Sequence, residues 1–167
     1  MNRGDLCTGI YTWNAEFVNC RFSEIPYVYP VKIRGIKSRV ENCHFTNMDW
    51  WANPGGGAAE LGNIARYVTF ENSKVGGLGG SHLMEYCRIE DFKDPCDCSG
   101  INRGAHGAPR SMTRYNWIIN GPGANGIRID GGANGAGNRR GDIHHIITIG
   151  NNRGMRLKGD FHDVHHI

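Results

Sequence analysis

The chain has 167 residues, a formal net charge of +3 and a hydrophobic content of 39%, which suits one domain with a buried core. No stretch approaches the roughly 18 apolar residues that a membrane helix needs, and residues 1–17 lack the apolar run of a secretory signal, so we expect no membrane insertion. The 25 glycines and the abundant asparagines favour tight turns, and helical periodicity is nearly absent, so a mainly helical protein is excluded.

Three short segments in the first part of the chain share one pattern. Each places a cysteine before an outward Arg or His, and then a large apolar residue; the segments are residues 18–22, 40–45 and 84–89. Such alternation predicts short strands in which Cys20, Cys43 and Cys87 face a core, as cysteine often does when it acts as a small buried apolar residue. Alignment adds further residues to the column: Phe70, Ile118, Ile149 and Ile167.

Two stretches between these segments carry weaker signals. Residues 58–66 are the best helical candidate, but Gly62 interrupts them and Pro-Gly-Gly-Gly precedes them, so we predict at most one or two helical turns in a loop. Cys96 and Cys98 lie in a second loop, where the alternatives are a disulfide, to Cys7 or to another cysteine, and a soft-metal site. Their spacing is not that of a zinc finger or ribbon.

A near repeat follows in the last third of the chain. Gly-Ile-Arg-Ile-Asp at 126–130 aligns with Gly-Met-Arg-Leu-Lys at 154–158, and residues 99–103 fit the same rung. The two later copies lead into Gly-Asp-apolar-His at 141–144 and 159–162, so the ten residues 131–140 are interpreted as an inserted loop. A constant rung with a variable loop is typical of a solenoid.

These repeats predict an all-β fold, specifically a right-handed parallel β-helix, the handedness following the usual preference of parallel crossovers. The alternative is an antiparallel sandwich with similar short strands. We expect residues 1–167 to be a single β-helix domain and a fragment of a longer one, because the sequence stops within a rung and starts without a capping helix. Further coils or other chains would then cover the exposed strand edges.

The basic charge is concentrated in the second part of the chain. Residues 1–99 hold 10 Lys and Arg against 12 Asp and Glu, and residues 100–167 hold 9 against 4, giving −2 and +5, which sum to +3. The rung pattern points Arg128, Arg156 and Lys158 outward on neighbouring coils, with Asp130 beside Lys158. A one-sided basic column favours an anionic ligand, the alternative being a solvated face with salt bridges. No aromatic platform is interleaved with these residues, so no nucleic-acid partner is expected.

Six of the eight histidines also lie in the second part. The patterns Asp142-x-His144-His145 and Asp160-x-His162-x-x-His165-His166 would stack Asp and His groups from adjacent coils about 4.8 Å apart. Such a stack can hold a metal or supply a general base. A ladder of side-chain hydrogen bonds at a turn is the alternative.

The rung sequences resemble a known superfamily. Asn-Cys-x-Phe at 42–45, Gly-Ile-Arg-Ile-Asp-Gly-Gly at 126–132 and the run at 154–166 look like the right-handed parallel β-helix of pectate-lyase-like proteins. The nearest likeness is to secreted bacterial β-helix proteins around the alginate lyase and chondroitinase B family. It covers most of residues 17–167 and mainly specifies the fold, and it implies an extracellular or periplasmic location.

The resemblance also implies cleavage of a uronate polysaccharide by β-elimination. In that family a Lys acts as base and an Arg as acid on consecutive coils, and calcium, held by Asn and Glu, masks the uronate carboxylate. Lys158 stands here where the family has its Arg, and Asp130 stands where it has its Lys. No matching acidic pair for calcium is evident, so calcium is a candidate cofactor without assigned ligands.

Two functional hypotheses follow. In the first, the protein binds and cleaves an acidic polysaccharide as a lyase or glycoside hydrolase. Its candidate catalytic residues are Lys158, Asp130, His162 and His144, and its candidate substrate-binding residues are Arg128, Arg156, Arg139, Arg140 and Asn102. In the second, it is a non-catalytic extracellular scaffold, adhesin or assembly component.

Overall fold

A computed structural model describes residues 10–24, 31–48, 59–73, 76–93, 99–103, 111–130 and 141–167. In these residues every regular element is a β-strand. The strands are β1 Ile10–Trp13, β2 Glu16–Val18, β3 Arg21–Ser23, β4 Val31–Arg34, β5 Arg39–Glu41, β6 His44–Thr46, β7 Ala59–Leu61, β8 Ile64–Arg66, β9 Thr69–Ser73, β10 Leu78–Gly79, β11 Leu83–Glu85, β12 Arg88–Phe92, β13 Ser99–Arg103, β14 Met112–Ile119, β15 Asn125–Ile129, β16 Asp142–Ile149, β17 Arg153–Leu157 and β18 Asp163–His165.

The strands stack in parallel as a β-solenoid. One sheet has seven strands in the order β1-β4-β7-β10-β13-β15-β17. The remaining strands form a second sheet that bends into two halves. The long strands β14 and β16 extend across both halves, so β14 pairs with β11 in one half and with β12 in the other. The predicted parallel solenoid is therefore confirmed, and the antiparallel sandwich is excluded.

Two of the sequence alignments are confirmed residue by residue. Ile127 pairs with Met155 and Arg128 pairs with Arg156 between β15 and β17. Ile101 pairs with Ile127 one coil earlier. Alternate residues of these strands face the interior, as the period-two pattern requires.

The interior is a stack of side chains from successive coils. Phe22 lies on Phe45 with ring centroids 4.5 Å apart, and Phe45 lies on Phe70 at 6.4 Å. Ile89 and Ile118 continue this column in register. Burial of one such side chain stabilises the fold by about 1.5–3 kcal/mol, so the column is a main source of stability.

The cysteine column is confirmed at Cys43 and Cys87, and the structure differs from the prediction at its other positions. Cys43 and Cys87 are buried, whereas Cys20 is partly exposed. Val68, not Phe70, fills the position between Cys43 and Cys87, because Thr69 bonds to the carbonyl of Cys43 and Arg88 bonds to that of Val68. Burial raises the pKa of Cys87 to about 12, so its thiol stays protonated at neutral pH.

Other members aligned with this column also belong elsewhere. Ile118 continues the phenylalanine column, and Ile149 pairs with Ile119 and is exposed. The short helix predicted at residues 58–66 is wrong. The structure forms β7 and β8 there, with Gly62 at the bend in a left-handed conformation, φ 52°.

Each coil bends at a residue in the left-handed backbone region. The bends of the second sheet, here called the corner column, have φ between 50° and 58° and fall at Asn19, Asn42, Tyr67, Tyr86, Tyr115, His145 and His166. Asparagine tolerates this region, whereas large side chains rarely adopt it. Asn42 donates a hydrogen bond to the side-chain oxygen of Asn19 at 2.7 Å. The tyrosines and histidines instead stack ring on ring.

A column of glycines lets the first sheet pack tightly. A Cβ atom added to Gly77 would lie 2.0 Å from the carbonyl oxygen of Gly100, and one added to Gly126 would lie 2.5 Å from that of Gly154. Real Cβ atoms do not approach so closely, so these positions require glycine.

Candidate functional site

The basic column, defined as Arg128, Arg156 and Lys158, lies on the outward face of the first sheet. Register pairing places Arg128 between Asn102 and Arg156 on adjacent strands. Lys158 follows β17 directly and its backbone amide bonds to the carbonyl of Ile129 at 2.9 Å. The predicted adjacency of these cations is confirmed.

Asp130 joins two members of the basic column. Its Oδ2 lies 2.7 Å from Nε of Arg128, and its Oδ1 lies 3.1 Å from Nζ of Lys158. Arg128 is only 9% exposed, whereas the Lys158 side chain is 45% exposed. Lys158 is therefore the cation of this pair that solvent reaches.

Desolvation tends to raise the pKa of Asp130, but hydrogen bonds and charge from Arg128 and Lys158 outweigh it and hold the pKa below its usual value. A carboxylate with a lowered pKa is a weak proton acceptor at neutral pH. The contacts suit Asp130 to orienting the two cations better than to removing a proton.

Asn102 extends the basic column by one coil. It pairs in register with Gly79 on one side and Arg128 on the other. Its Oδ1 is shielded from solvent and has no hydrogen-bond partner within the described part of the chain. Two other candidate binding residues, Arg139 and Arg140, lie outside the described residues.

His162 has both ring nitrogens engaged by backbone atoms. Its Nδ1 accepts a hydrogen bond from the amide of Gly141 at 3.2 Å, and its Nε2 lies 3.1 Å from the carbonyl oxygen of Lys158, to which it donates. This arrangement fixes a neutral tautomer and ties residues 158–162 to the adjacent coil. The contacts favour a structural part for His162 beside Lys158.

His144 lies away from this group, in the second sheet, and its register differs from the predicted one. Asp142 pairs with Asp163 and His144 pairs with His165. The predicted alignment of residues 141–144 with 159–162 is wrong, because residues 159–162 form the turn that His162 holds. Strand pairing resumes only at Asp163.

The correct register brings four histidines together, here called the imidazole array: His144, His145, His165 and His166. The rings of His144 and His165 stack at 4.8 Å, and those of His145 and His166 stack at 4.6 Å. Within each coil the two Nδ1 atoms lie 2.7 Å apart. Among the described residues, His144, His145 and His165 form the group whose potential ligand atoms all lie within 4.8 Å of one another.

One carboxylate faces the back of the imidazole array. Oδ1 of Asp142 lies 3.8 Å from Nε2 of His144 and 3.9 Å from Nε2 of His165, and it is shielded from solvent with no hydrogen-bond partner among the residues that the structure describes. At the front, desolvation and the charges of the neighbouring imidazoles lower the pKa of His145. A neutral imidazole ring has a nitrogen lone pair that can bind a metal ion or accept a proton.

The imidazole array borders an open groove of about 520 Å³. The lining residues are aromatic or aliphatic: Tyr86, Tyr115, Trp117, His145, Ile146, Ile147, His166 and Ile167. Trp117 and Ile147 are exposed although they are large and apolar. Small molecules and ions can therefore reach His145 from solvent.

Two features of this region were not predicted from the sequence. The tyrosine stack of the corner column could have been found by aligning Tyr86 with Asn19 and Asn42, each of which precedes a cysteine.

The second feature that was not predicted is the buried Arg103, which occupies the inward position that Ile129 fills on the next coil. Burial lowers the pKa of Arg103 to about 10, and its guanidinium donates to Oγ1 of Thr113 at 2.6 and 2.9 Å.

Comparisons with protein-family models, with curated proteins and with solved structures give no match. No helix in the described part of the chain is long and apolar enough to span a membrane. The parallel solenoid follows from the strand pairing.

Proposed function

We propose that this protein is an extracellular or periplasmic β-solenoid that binds an acidic polysaccharide along the basic column, in the manner of the pectate-lyase-like proteins that its rungs resemble. The observation that carries this proposal is the in-register pairing of Arg128 with Arg156, with Lys158 beside them. Parallel strands repeat every 4.8 Å or so, which presents cations at intervals suited to a polymer with regularly spaced carboxylates or sulfates.

Asp130 limits what this surface can do. It accepts contacts from Arg128 and Lys158 and neutralises one of the three positive charges of the column. The surface keeps an excess of positive charge, and Asp130 holds the two cations at fixed positions. Such preorganisation favours binding of an anion, because less side-chain entropy is lost.

Binding without cleavage is the form of this proposal that the geometry favours. A β-elimination base must be unprotonated at working pH and free to reach the substrate. Nζ of Lys158 is held 3.1 Å from the carboxylate of Asp130, and His162 uses both ring nitrogens within the chain, so neither group is free to reach a substrate proton. Lyase or hydrolase activity remains the second candidate, supported by the likeness of the rungs to that family.

The test is retention of the protein on immobilised alginate, pectate and chondroitin, with a neutral glucan as reference. We expect retention on acidic chains only, decreasing as salt rises, because exposed charges are screened over about 8–10 Å near physiological ionic strength. Lys158→Ala and Arg156→Ala should each weaken binding by about 2–5-fold, the range of one exposed ionic contact.

Lys32→Ala is the matched control, since Lys32 has the same charge on the same outward face but lies on β4, far along the sheet from the basic column. Equal retention on the neutral glucan, or equal losses for Lys32→Ala and Lys158→Ala, would contradict the proposal. The ultraviolet absorbance of an unsaturated product, followed in the same samples, separates binding from cleavage.

A further inference from the structure

We propose that the imidazole array is a binding site for a divalent transition-metal ion, with His144, His145 and His165 as ligands. This inference concerns the second sheet and does not depend on polysaccharide binding by the first. It rests on the convergence of ring nitrogens from two adjacent coils and on the position of Asp142 behind them.

The ring nitrogens already lie near the spacing that a metal imposes. Their mutual distances fall within 4.8 Å, and Nδ1 of His144 lies 2.7 Å from Nδ1 of His145. Tetrahedral zinc with Zn–N bonds of about 2.0–2.1 Å places its ligand nitrogens about 3.3 Å apart. Small rotations of two rings therefore suffice to form the site. His166 can supply a fourth ligand, because its Nδ1 lies 2.7 Å from that of His165.

Asp142 is a positioning residue for this site. Metal-bound histidines usually direct the second ring nitrogen to a carboxylate, which fixes the tautomer and raises the donor strength of the first. Asp142 lies on the Nε2 side of both His144 and His165, and its shielded Oδ1 has no hydrogen-bond partner among the described residues. The Nδ1 atoms of the two rings lie on the opposite side, toward His145 and His166.

The donor set selects the class of ion. Imidazole nitrogens suit zinc, copper, nickel and iron, whereas calcium and magnesium prefer carboxylate and carbonyl oxygens. One ligand, His144, is 8% exposed, whereas His145 and His165 are exposed and His145 lines the groove. The site is thus anchored on a buried ring and open to solvent, so that an ion can enter.

The experiment is titration of the chelator-treated full chain with Zn²⁺ by calorimetry, repeated with Co²⁺ to record the visible spectrum. We expect one tight Zn²⁺ site and tetrahedral Co²⁺ bands without an intense sulfur-to-metal absorption, which separates this site from the cysteines. His145→Ala and His165→Ala should each weaken Zn²⁺ binding at least about 10-fold. Asp142→Asn should weaken it by about 10–100-fold, and Asp142→Glu should restore part of the loss.

His44→Gln is the matched control, because His44 is bonded to Glu71 on a different face. Circular dichroism verifies that each variant is folded, and the exposed ligands His145 and His165 keep the test valid if removal of the buried His144 unfolds the chain. Absence of Zn²⁺ binding, or binding that is reduced equally by His44→Gln and His165→Ala, overturns the proposal. The array would then be a ladder of stacked, hydrogen-bonded rings only.

Discussion

Two ladders of aromatic rings run along this solenoid, one inside and one outside. The inner ladder is Phe22, Phe45 and Phe70, which pack in the core. The outer ladder follows the corner column through Tyr67, Tyr86 and Tyr115 to the imidazole array, with ring centroids 4.6–5.2 Å apart. Both have the spacing of stacked strands, yet they differ in what surrounds them.

Because their surroundings differ, the inner ladder contributes mainly to stability, whereas the outer ladder is available for binding. Inside, the neighbours are apolar and water is excluded, so each ring contributes through buried area. Outside, the rings remain partly hydrated and add little area, but their polar atoms stay available. The same repeat can therefore carry phenylalanine for packing on one side and histidine for binding on the other.

The largest effect is expected in the inner ladder. Phe45 is fully buried between Phe22 and Phe70, so Phe45→Ala should lower the free energy of unfolding by about 3–5 kcal/mol through lost burial and the cavity left behind. Urea denaturation followed by circular dichroism measures it. Trp117→Ala removes an outward ring and should cost less than about 1 kcal/mol. Equal costs for the two would show that burial of a ring does not determine its contribution to stability.

A smaller effect is expected at the corner column. Tyr86 has φ 55°, a left-handed conformation that L-residues disfavour and that β-branched residues adopt least readily. Tyr86→Val should destabilise the protein by about 1–2 kcal/mol, because crowding of the branched Cβ adds to the lost stacking with Tyr67 and Tyr115. Tyr86→Asn should change stability by less than about 0.5 kcal/mol, because asparagine already occupies this corner at residues 19 and 42. Thermal unfolding of both variants gives the comparison, and a more stable Val variant would contradict it.

The smallest effect concerns the ion pairs of the outer surface. Asp130→Asn should lower stability by about 1 kcal/mol or less, since the contacts with Arg128 and Lys158 are partly hydrated. Because the folded pKa of Asp130 is lowered, its contribution is present above the ordinary aspartate pKa near 3.9 and disappears as pH falls through the folded value. Unfolding at pH 7 and pH 3 measures the change.

The exposed Asp160→Asn variant is the control for charge removal. The difference between wild type and Asp130→Asn should shrink at pH 3, whereas Asp160→Asn should follow the wild type at both values. A difference that grows on acidification would show that the pKa of Asp130 is not lowered in the folded protein.

The sequence allowed prediction of those coils in which alternation and turn residues repeat together. The rungs at 99–103, 126–130 and 154–158 are paired as predicted, because Gly and alternating apolar residues fix both register and facing. The adjacency of Asp130 and Lys158 followed from the same register.

The imidazole array shows what the sequence leaves ambiguous. Gly-Asp-apolar-His occurs at 141–144 and 159–162, yet the second copy folds as a turn, with Gly159 at φ 103° and Phe161 at φ 61°. Which copy of a motif enters a strand depends on contacts made by the neighbouring coil, here the bond from Gly141 to His162. Such non-local contacts are not encoded in the spacing of the motif.

The glycine column determines which neighbouring coil is strained when a glycine is substituted. At Gly77, Gly100 and Gly126 the backbone oxygen nearest an added Cβ belongs to the coil that follows. A side chain introduced at Gly77 would thus strain residues 99–103 and spare the coil before it. At Gly62 and Gly80 the order is reversed, since the atoms nearest an added Cβ belong to Ser38 and Glu60 of the preceding coil, so each glycine protects one particular neighbour.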